Sequence, residues 1–269
     1  MSRDIHSTAV IEPGAEIGEG CRIGPYCHIG ANVRLGRNNL LQTSVVIDGH
    51  TIIGDDNEFF PFACIGKAAQ ALKFRKEWVS YSRIGSGNVF REYATVNASS
   101  LEGESTVIGD RFLFLSYSHV AHDCVVGSDV IISSDSKMAG HVEIGDHAIV
   151  SAKTGIVQFV RVGRFAFIGG FNKVAKDILP YCIADGFPSA IRGVNKVGME
   201  RNGFSAERIQ IVRDAYRIIL RLALPLPEAL ARLERKYPDA PEVREMIAFA
   251  TASKIGLARP RRQPSTEEA

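Results

Sequence analysis

The chain has 269 residues, of which 45% are hydrophobic and 23% charged, values that are ordinary for a water-soluble globular protein. Its formal net charge of +2 lacks the basic excess of nucleic-acid-binding proteins, so nucleic acid is not a predicted partner. No signal peptide or membrane span is evident, which predicts a cytoplasmic protein without stable membrane insertion. An odd number of cysteines without Cys-x-x-Cys spacing favours a reducing compartment: Cys21, Cys27, Cys64, Cys124 and Cys182.

A large apolar residue recurs at every sixth position in the first part of the chain. The positions are Ile5, Ile11, Ile17, Ile23, Ile29, Leu35, Leu41, Ile47, Ile53, Phe59 and Ile65. A period of six fits neither a helix nor a single strand, so each unit is a short extended segment followed by a bend. Three units complete a triangular coil, and successive coils pair as parallel strands about 4.8 Å apart. The repeat therefore predicts a mainly β fold, a parallel β-helix.

Two excursions interrupt the repeat. The first, near residues 66–83, contains several cations, which favour a phosphate-bearing ligand, although a tolerated surface insertion is the alternative. The repeat resumes at Ile84, and a second excursion spans residues 97–107. Because Val96 and Ile108 differ by two whole repeats, we expect this second excursion to be nearly accommodated within the coil. The repeat then runs without interruption to Val174.

Beyond Val174 the period becomes helical. We predict a helix from a Ser205 cap to Leu220, a second helix over residues 228–237, and a third that ends near residue 253. The polar segment 259–269 is predicted to be disordered. This pattern divides the chain into a β-helix domain, residues 1–186, and a crossover with a C-terminal α-helical domain, residues 187–269.

The first predicted helix carries a row of arginines on its exposed face. They are Arg208, Arg213, Arg217 and Arg221. Such a row is either a solvated face or a docking surface for an acidic protein.

Histidines cluster in the second run of repeats. With 18 residues in each coil, three columns of stacked residues are expected: His122 with Gly140 and Gln158, His119 with Lys137, and Asp123 with His141 and Phe159. Together, His122, Asp123 and Gly140 would supply a general base, a carboxylate that fixes its tautomer, and an amide that faces an oxyanion. This set suits direct acyl transfer from a thioester to an alcohol without a serine or cysteine nucleophile.

Two other interpretations of the histidines are open. His119, His122 and His141 could bind zinc, as histidines do on the parallel β-helix of the gamma-class carbonic anhydrases. However, His119 and His122 lie three residues apart on one coil, on different sides of a bend. The histidines could also be purely structural. We predict no metal and no cofactor.

Several segments carry a family resemblance. They are Gly49-His50-Thr51-Ile52-Ile53-Gly54, Leu72-Lys73-Phe74, His119-Val120-Ala121-His122-Asp123-Cys124, Ala139-Gly140-His141, Gly193-Val194-Asn195 and Gly203-Phe204-Ser205. With the repeats, they resemble the UDP-N-acetylglucosamine O-acyltransferases that begin lipid A synthesis, over nearly the whole chain. The resemblance implies a left-handed β-helix, a homotrimer with active sites between subunits, and an (R)-3-hydroxyacyl-acyl carrier protein as donor.

The resemblance also implies roles for single residues. His122 would deprotonate the glucosamine 3-hydroxyl, Asp123 would orient His122, and the Gly140 amide would stabilise the oxyanion. The residues implied in binding the sugar, the nucleotide and the acyl chain are Lys73, His119, His141 and Gln158 in the cleft, Asn195 and Arg201 at the nucleotide, and Gly170, where glycine leaves room for a longer acyl chain. The helix arginines would meet the acidic carrier protein.

Some positions depart from the family pattern. They are Ala71, the segment Asn97-Ala98-Ser99-Ser100, Val157, Phe187 and Asn202. We expect these changes to affect the sugar and nucleotide side of the cleft more than the base. They leave open whether the acceptor is UDP-N-acetylglucosamine or a 3-amino or other nucleotide sugar. A trimeric binding protein without catalysis is the non-enzymatic alternative.

Overall fold

A computed structural model describes residues 4–261, which form a long stack of two- to five-residue strands followed by four α-helices. The strands of the first half are β1 Asp4–Ile5, β2 Val10–Ile11, β3 Glu16–Ile17, β4 Arg22–Ile23, β5 His28–Ile29, β6 Arg34–Leu35, β7 Leu40–Leu41, β8 Val46–Ile47, β9 His50–Ile53, β10 Glu58–Phe59, β11 Cys64–Lys67, β12 Tyr81–Ile84, β13 Val89–Phe90 and β14 Thr95–Asn97. The remaining strands are β15 Ser105–Ile108, β16 Leu113–Phe114, β17 His119–Val120, β18 Val125–Val126, β19 Ile131–Ile132, β20 Lys137–Met138, β21 Glu143–Ile144, β22 Ile149–Val150, β23 Gly155–Ile156, β24 Arg161–Val162, β25 Phe167–Ile168, β26 Lys173–Val174, β27 Cys182–Asp185 and β28 Ala190–Val194.

These strands form three sheets, because every third strand pairs with its predecessor. Sheet A contains β1, β4 and their successors through β25, β27 and β28; sheet B runs from β2 to β26, and sheet C from β3 to β24. Outside the last hairpin all pairs are parallel, with partners typically one 18-residue coil apart, as for Arg22 and Leu40. The predicted left-handed parallel β-helix with C-terminal helices is confirmed.

The apolar residue of each repeat fills the interior of the prism. Ile29, Ile47, Ile65 and Val96 stack in successive coils of sheet B, each almost completely buried. The bends carry a second repeated feature, since a non-glycine residue with φ near +60° occupies the corner in many coils. This conformation belongs to the architecture of the whole β-helix, and it fixes the direction in which each corner side chain projects.

The excursions are loops at residues 68–80 and 98–104, between strands that belong to sheets B and C. The loops lengthen the coils that contain them, so strand partners there are more than 18 residues apart. Cys64 pairs with Thr95, and Thr95 pairs with His119. The loops also contact each other, because the N–H of Gly103 donates to the carbonyl of Val79 at 2.8 Å. Both loops therefore lie on the side of the prism where sheets B and C meet.

The helices are α1 Lys196–Arg201, α2 Ala206–Tyr216, α3 Leu226–Lys236 and α4 Pro241–Thr251, with a π-helical turn at Arg217–Arg221 after α2. Ser205 caps α2 as predicted, because its Oγ accepts the N–H of Arg208 at 3.2 Å. The antiparallel hairpin of β27 and β28 spans the predicted domain boundary after residue 186. Most of the tail predicted to be disordered lies outside the described residues. None of the helices within residues 4–261 is long and apolar enough to cross a bilayer.

Candidate active site

A buried histidine–aspartate pair lies at the corner between sheets B and C. Nδ1 of His122 donates to Oδ2 of Asp123 at 2.7 Å, and the two side chains are only 11% and 8% exposed. Asp123 holds the corner position of its coil, with a φ of 61°. The predicted contact of base and carboxylate is therefore present.

The Asp123 carboxylate has further donors from the second excursion. Oδ1 accepts the Ser99 hydroxyl and the Ser100 N–H at 3.0 Å, and Oδ2 accepts the Ser100 hydroxyl at 2.6 Å. Burial alone would raise the pKa of Asp123, but hydrogen bonds from Ser100, Ser99 and His122 outweigh it, so this pKa lies below its ordinary value. Asp123 is therefore ionised at neutral pH.

These contacts correct one expectation about the departures from the family pattern. Ser99 and Ser100 were expected to affect the sugar and nucleotide side, whereas both hydroxyls bind the carboxylate partner of the base. The repeat could not reveal this contact, because the two serines lie in an excursion where the 18-residue count fails.

The backbone of Gly140 lies so close to the His122 ring that a side chain would not fit between them. A Cβ placed on Gly140 would lie 2.4 Å from Cε1 and 2.8 Å from Nε2 of the imidazole. Among residues 4–261 the N–H of Gly140 has no hydrogen-bond acceptor. Because Nδ1 of His122 donates to an ionised carboxylate, Nε2 has a free lone pair. Within the described residues, the N–H of Gly140 and Nε2 of His122 are thus both unpaired, and the two residues lie next to each other on successive coils.

The next coils extend the site in the predicted columns. His141 stands one coil from Asp123, with Nε2 3.4 Å from Oδ2, and its ring meets that of His122 edge-on at 5.4 Å between centroids. Phe159 stacks on His141 at 4.8 Å. Gln158 follows in the column of His122 and is exposed. One face of the His141 imidazole is therefore covered by an aromatic ring.

His119 lies on β17, the strand that precedes the corner at Asp123. Its Nδ1 is 2.8 Å from Oγ1 of Thr95, and it pairs with Lys137 on the next coil. Burial lowers the pKa of His119, and the charges of Lys137 and His122 lower it further. The side chain is therefore neutral at physiological pH and suited to hydrogen bonding rather than to carrying charge.

Three side chains of the site carry atoms that are common metal ligands. His122, Asp123 and His141 each offer a ligand atom within 4.8 Å of the other two, a set of two imidazoles and a carboxylate. Both carboxylate oxygens, however, already accept two hydrogen bonds each, and a cation would have to displace the one from His122. His119, the third member of the alternative zinc trio, is instead hydrogen-bonded to Thr95. The donor arrangement fits a hydrogen-bonded pair better than a metal centre.

Other predicted ligand-binding residues lie apart from the histidines. Within residues 4–261, Lys73, Asn195 and Arg201 make no hydrogen bond, ion pair or ring contact with the histidine cluster. Lys73 and Arg201 are exposed, whereas the buried Asn195 caps α1 by accepting from the Gly198 N–H at 3.0 Å. The Asn195 amide also donates to the Phe165 carbonyl, so this side chain has a structural role within the chain. Gly170 is exposed at the corner between β25 and β26, three coils beyond the corner that precedes His119.

The helix arginines divide into two groups. Arg208 binds the carboxylate of Glu242, which is only 2% exposed, and its guanidinium lies 4.3 Å from the centre of the Phe204 ring. This residue therefore differs from the prediction, because its charge is used in joining α2 to α4. The other three arginines line a cavity of about 580 Å³ together with Gly193, Val194 and Tyr216: Arg213, Arg217 and Arg221.

Comparisons with known proteins agree along the chain. Residues 5–37 match a model of bacterial transferase hexapeptide repeats, and residues 177–258 match one described as UDP-N-acetylglucosamine O-acyltransferase, domain 2. The chain is 50% identical over 256 residues to the acyl-[acyl-carrier-protein]–UDP-N-acetylglucosamine O-acyltransferase of Akkermansia muciniphila, covering 94% of this chain and 98% of that one. The corresponding protein of Thermodesulfovibrio yellowstonii is 41% identical over 257 residues, or 95% and 99% of the two chains.

Solved structures give the same result. The UDP-N-acetylglucosamine acyltransferase of Bacteroides fragilis superposes with a TM-score of 0.91 at 39% identity, covering 95% of this chain and 100% of that one. The enzyme of Francisella novicida gives a TM-score of 0.93 at 32% identity, with 96% and 95% covered. The chain belongs to the acyl-[acyl-carrier-protein]–UDP-N-acetylglucosamine O-acyltransferase family.

Proposed function

We propose that the protein transfers an (R)-3-hydroxyacyl chain from acyl carrier protein to the 3-hydroxyl of UDP-N-acetylglucosamine, the first step of lipid A synthesis. The observation that carries this proposal is the arrangement of His122, Asp123 and Gly140. A buried carboxylate holds the imidazole, and the adjacent Gly140 N–H has no acceptor in the part of the chain that the structure describes. Family membership supports the choice of donor and acceptor.

The proposed reaction needs no covalent intermediate on the protein. Nε2 of His122 takes the proton of the sugar hydroxyl while the hydroxyl oxygen bonds to the thioester carbonyl carbon. The carbonyl oxygen gains the negative charge, which the Gly140 N–H stabilises. The C–S bond then breaks, the ester carbonyl re-forms, and the imidazolium returns the proton to the thiolate. The ionised Asp123 stabilises the imidazolium between these two proton transfers.

A direct assay tests the acceptor. Purified protein is incubated with (R)-3-hydroxyacyl-acyl carrier protein and either UDP-N-acetylglucosamine or its 3-amino analogue, and the acylated nucleotide sugar is measured by mass spectrometry. We expect product with the hydroxyl acceptor. Product with the 3-amino analogue alone would identify a diverged relative, a result that the departures at Ala71 and Val157 would help to explain. Absence of product with both acceptors would contradict the proposal.

We propose further that the working form is a homotrimer in the cytoplasm. The outer face of sheet A presents a row of half-buried apolar residues, whereas the outer face of sheet C is largely charged. The apolar row comprises Val89, Leu113, Ile131, Ile149, Phe167 and Ile183. Such a continuous apolar strip is typical of a subunit interface. Sedimentation equilibrium of the purified chain tests the trimer, and a monomer mass at micromolar concentration would contradict it.

The cavity of Arg213, Arg217 and Arg221 is the proposed docking surface for the carrier protein. These three cations lie on one side of α2 and its π-helical turn, and Arg221 Nε is held by the Tyr216 hydroxyl at 2.8 Å. Like-signed charges around a cavity attract an acidic partner and position it during association. Arg208 is excluded from this surface because its charge is paired with Glu242.

Charge reversal at the cavity should weaken the binding of the acyl donor and leave the binding of the nucleotide sugar unchanged. In the variant Arg213→Glu/Arg217→Glu, we expect the KM for acyl-acyl carrier protein to rise about tenfold and the KM for the nucleotide sugar to stay unchanged. Steady-state kinetics with each substrate varied in turn measures both values.

The matched control changes the same charge elsewhere on the helical domain. Arg232 and Arg235 are exposed on α3 and do not line the cavity. The variant Arg232→Glu/Arg235→Glu should keep the wild-type KM for the donor. An equal rise in both variants would indicate a general effect of net charge, and no rise in either would mean that the cavity arginines are only a solvated face.

A further inference from the structure

Three side chains of the second excursion form hydrogen bonds with Asp123, the carboxylate partner of the base. Beyond the Ser99 and Ser100 contacts, the Asp123 N–H donates to Oγ1 of Thr106 at 2.8 Å, and Thr106 lies on β15 at the end of the same excursion. Ser99 and Ser100, here termed the serine pair, are themselves buried. The segment that breaks the repeat thus brings three side chains to a single residue of the next coil.

The serine pair is oriented by its own loop. The N–H of Leu101 donates to Ser99 Oγ at 3.1 Å, which occupies a lone pair and leaves the hydroxyl proton for a carboxylate. The backbone of Ser99 is fixed by its N–H, which donates to the Tyr81 carbonyl at 3.2 Å. Hydrogen bonds from hydroxyls to an ionised carboxylate are stronger than those between neutral groups. The carboxylate is therefore restrained by groups that have little freedom themselves.

We propose that Ser99 and Ser100 are positioning residues for the acyl transfer, acting through Asp123 to fix the tautomer and direction of the His122 imidazole. The inference rests on the proposed function for its kinetic meaning. Neither serine forms a hydrogen bond with the imidazole; each donates to an oxygen of the carboxylate that holds it. Their removal should therefore lower kcat, which depends on where Nε2 points, and leave the binding of both substrates intact.

The kinetic test uses Ser99→Ala/Ser100→Ala. We expect kcat to fall about 10- to 100-fold, with both KM values within about twofold of wild type. The conservative Ser100→Thr keeps a hydroxyl and should retain kcat within about threefold. Ser116→Ala is the matched control, because Ser116 Oγ donates to the Glu92 carboxylate at 2.8 Å on a different corner, and it should behave as wild type. Should the double variant fail to fold, Ser100→Ala alone is measured.

A double-mutant cycle separates positioning from a merely structural role. If the serine pair acts through Asp123, adding its substitutions to Asp123→Asn should lower kcat by less than about threefold beyond Asp123→Asn alone. Independent multiplication of the two losses would overturn the proposal, as would a wild-type kcat in Ser99→Ala/Ser100→Ala.

A spectroscopic measurement needs no turnover. The proton on His122 Nδ1 should give a resolved low-field resonance in ¹⁵N-edited NMR of the wild type, and broaden or disappear by exchange in the double alanine variant. An unchanged resonance in that variant would refute the inference. Because this result does not depend on the substrate, it decides the role of the serine pair even if neither sugar is acylated. Conversely, if the wild type forms product and the resonance is unchanged in the double alanine variant, only the role of the serine pair is refuted and the proposed function is unaffected.

Discussion

Replacement of His122 by alanine should lower kcat about 1,000-fold, because the variant has no group to take the proton of the sugar hydroxyl. The KM for either substrate should change little, since the imidazole acts mainly in the transition state. The side chain lies at a corner and is not part of the apolar cluster that fills the prism, so the fold should persist. Single-turnover product formation and thermal unfolding measure the two effects separately.

His28→Ala is a matched control for this variant. His28 lies on β5 in the same sheet as His119, and its Nε2 is 3.0 Å from Oε1 of Glu12, so it also forms a histidine–carboxylate pair. We expect wild-type kcat in this variant. A wild-type kcat in His122→Ala as well would mean that the histidines are structural, and equal losses in both would point to a general effect on the β-helix.

The repeat allowed much of this site to be predicted, because one number fixes the register along most of the prism. Between His122 and Gly140 no excursion intervenes, so counting 18 residues places them on adjoining coils, as observed. The buried aliphatic residues follow from the same count. In physical terms, a parallel β-helix is built from neighbouring coils, and each contact depends on a fixed separation in sequence.

Contacts outside the repeat could not be counted in this way. Ser99 and Ser100 reach Asp123 from a loop of irregular length, and no period relates a loop residue to the coil it contacts. Arg208 pairs with Glu242 across two helices, at a separation that depends on the lengths of the intervening turns. An arginine on the polar side of a helix is unpaired only where no other helix packs against that side. The sequence of α2 alone does not show where the other helices pack. Asn195 and Arg201 remain predicted nucleotide-binding residues, because both lie beyond the end of the repeat, where the 18-residue count does not apply.

Gly140→Ala should lower kcat about 100-fold while leaving the chain folded. The added methyl group would lie 2.4 Å from Cε1 of His122, inside van der Waals contact, so the imidazole must move. His122 is held at Nδ1 by Asp123, and a displacement therefore stretches that bond or turns Nε2 away from the hydroxyl. A misplacement of about 1 Å in a catalytic group is enough for a loss of this size. The measurement is kcat with both substrates saturating, together with the melting temperature.

The control for Gly140→Ala is Gly155→Ala, on β23 of the neighbouring coil. A Cβ at Gly155 would meet no atom within 4 Å, so the same change of glycine to alanine adds a methyl group to open space. This variant should keep wild-type kcat. The expected result has a geometric cause: the approach of His122 to the Gly140 backbone requires a residue without a side chain, and the same closeness brings the amide to the reacting carbonyl. If Gly140→Ala retained full activity, the imidazole would have room to move without consequence, and the tight geometry could not be the basis of catalysis.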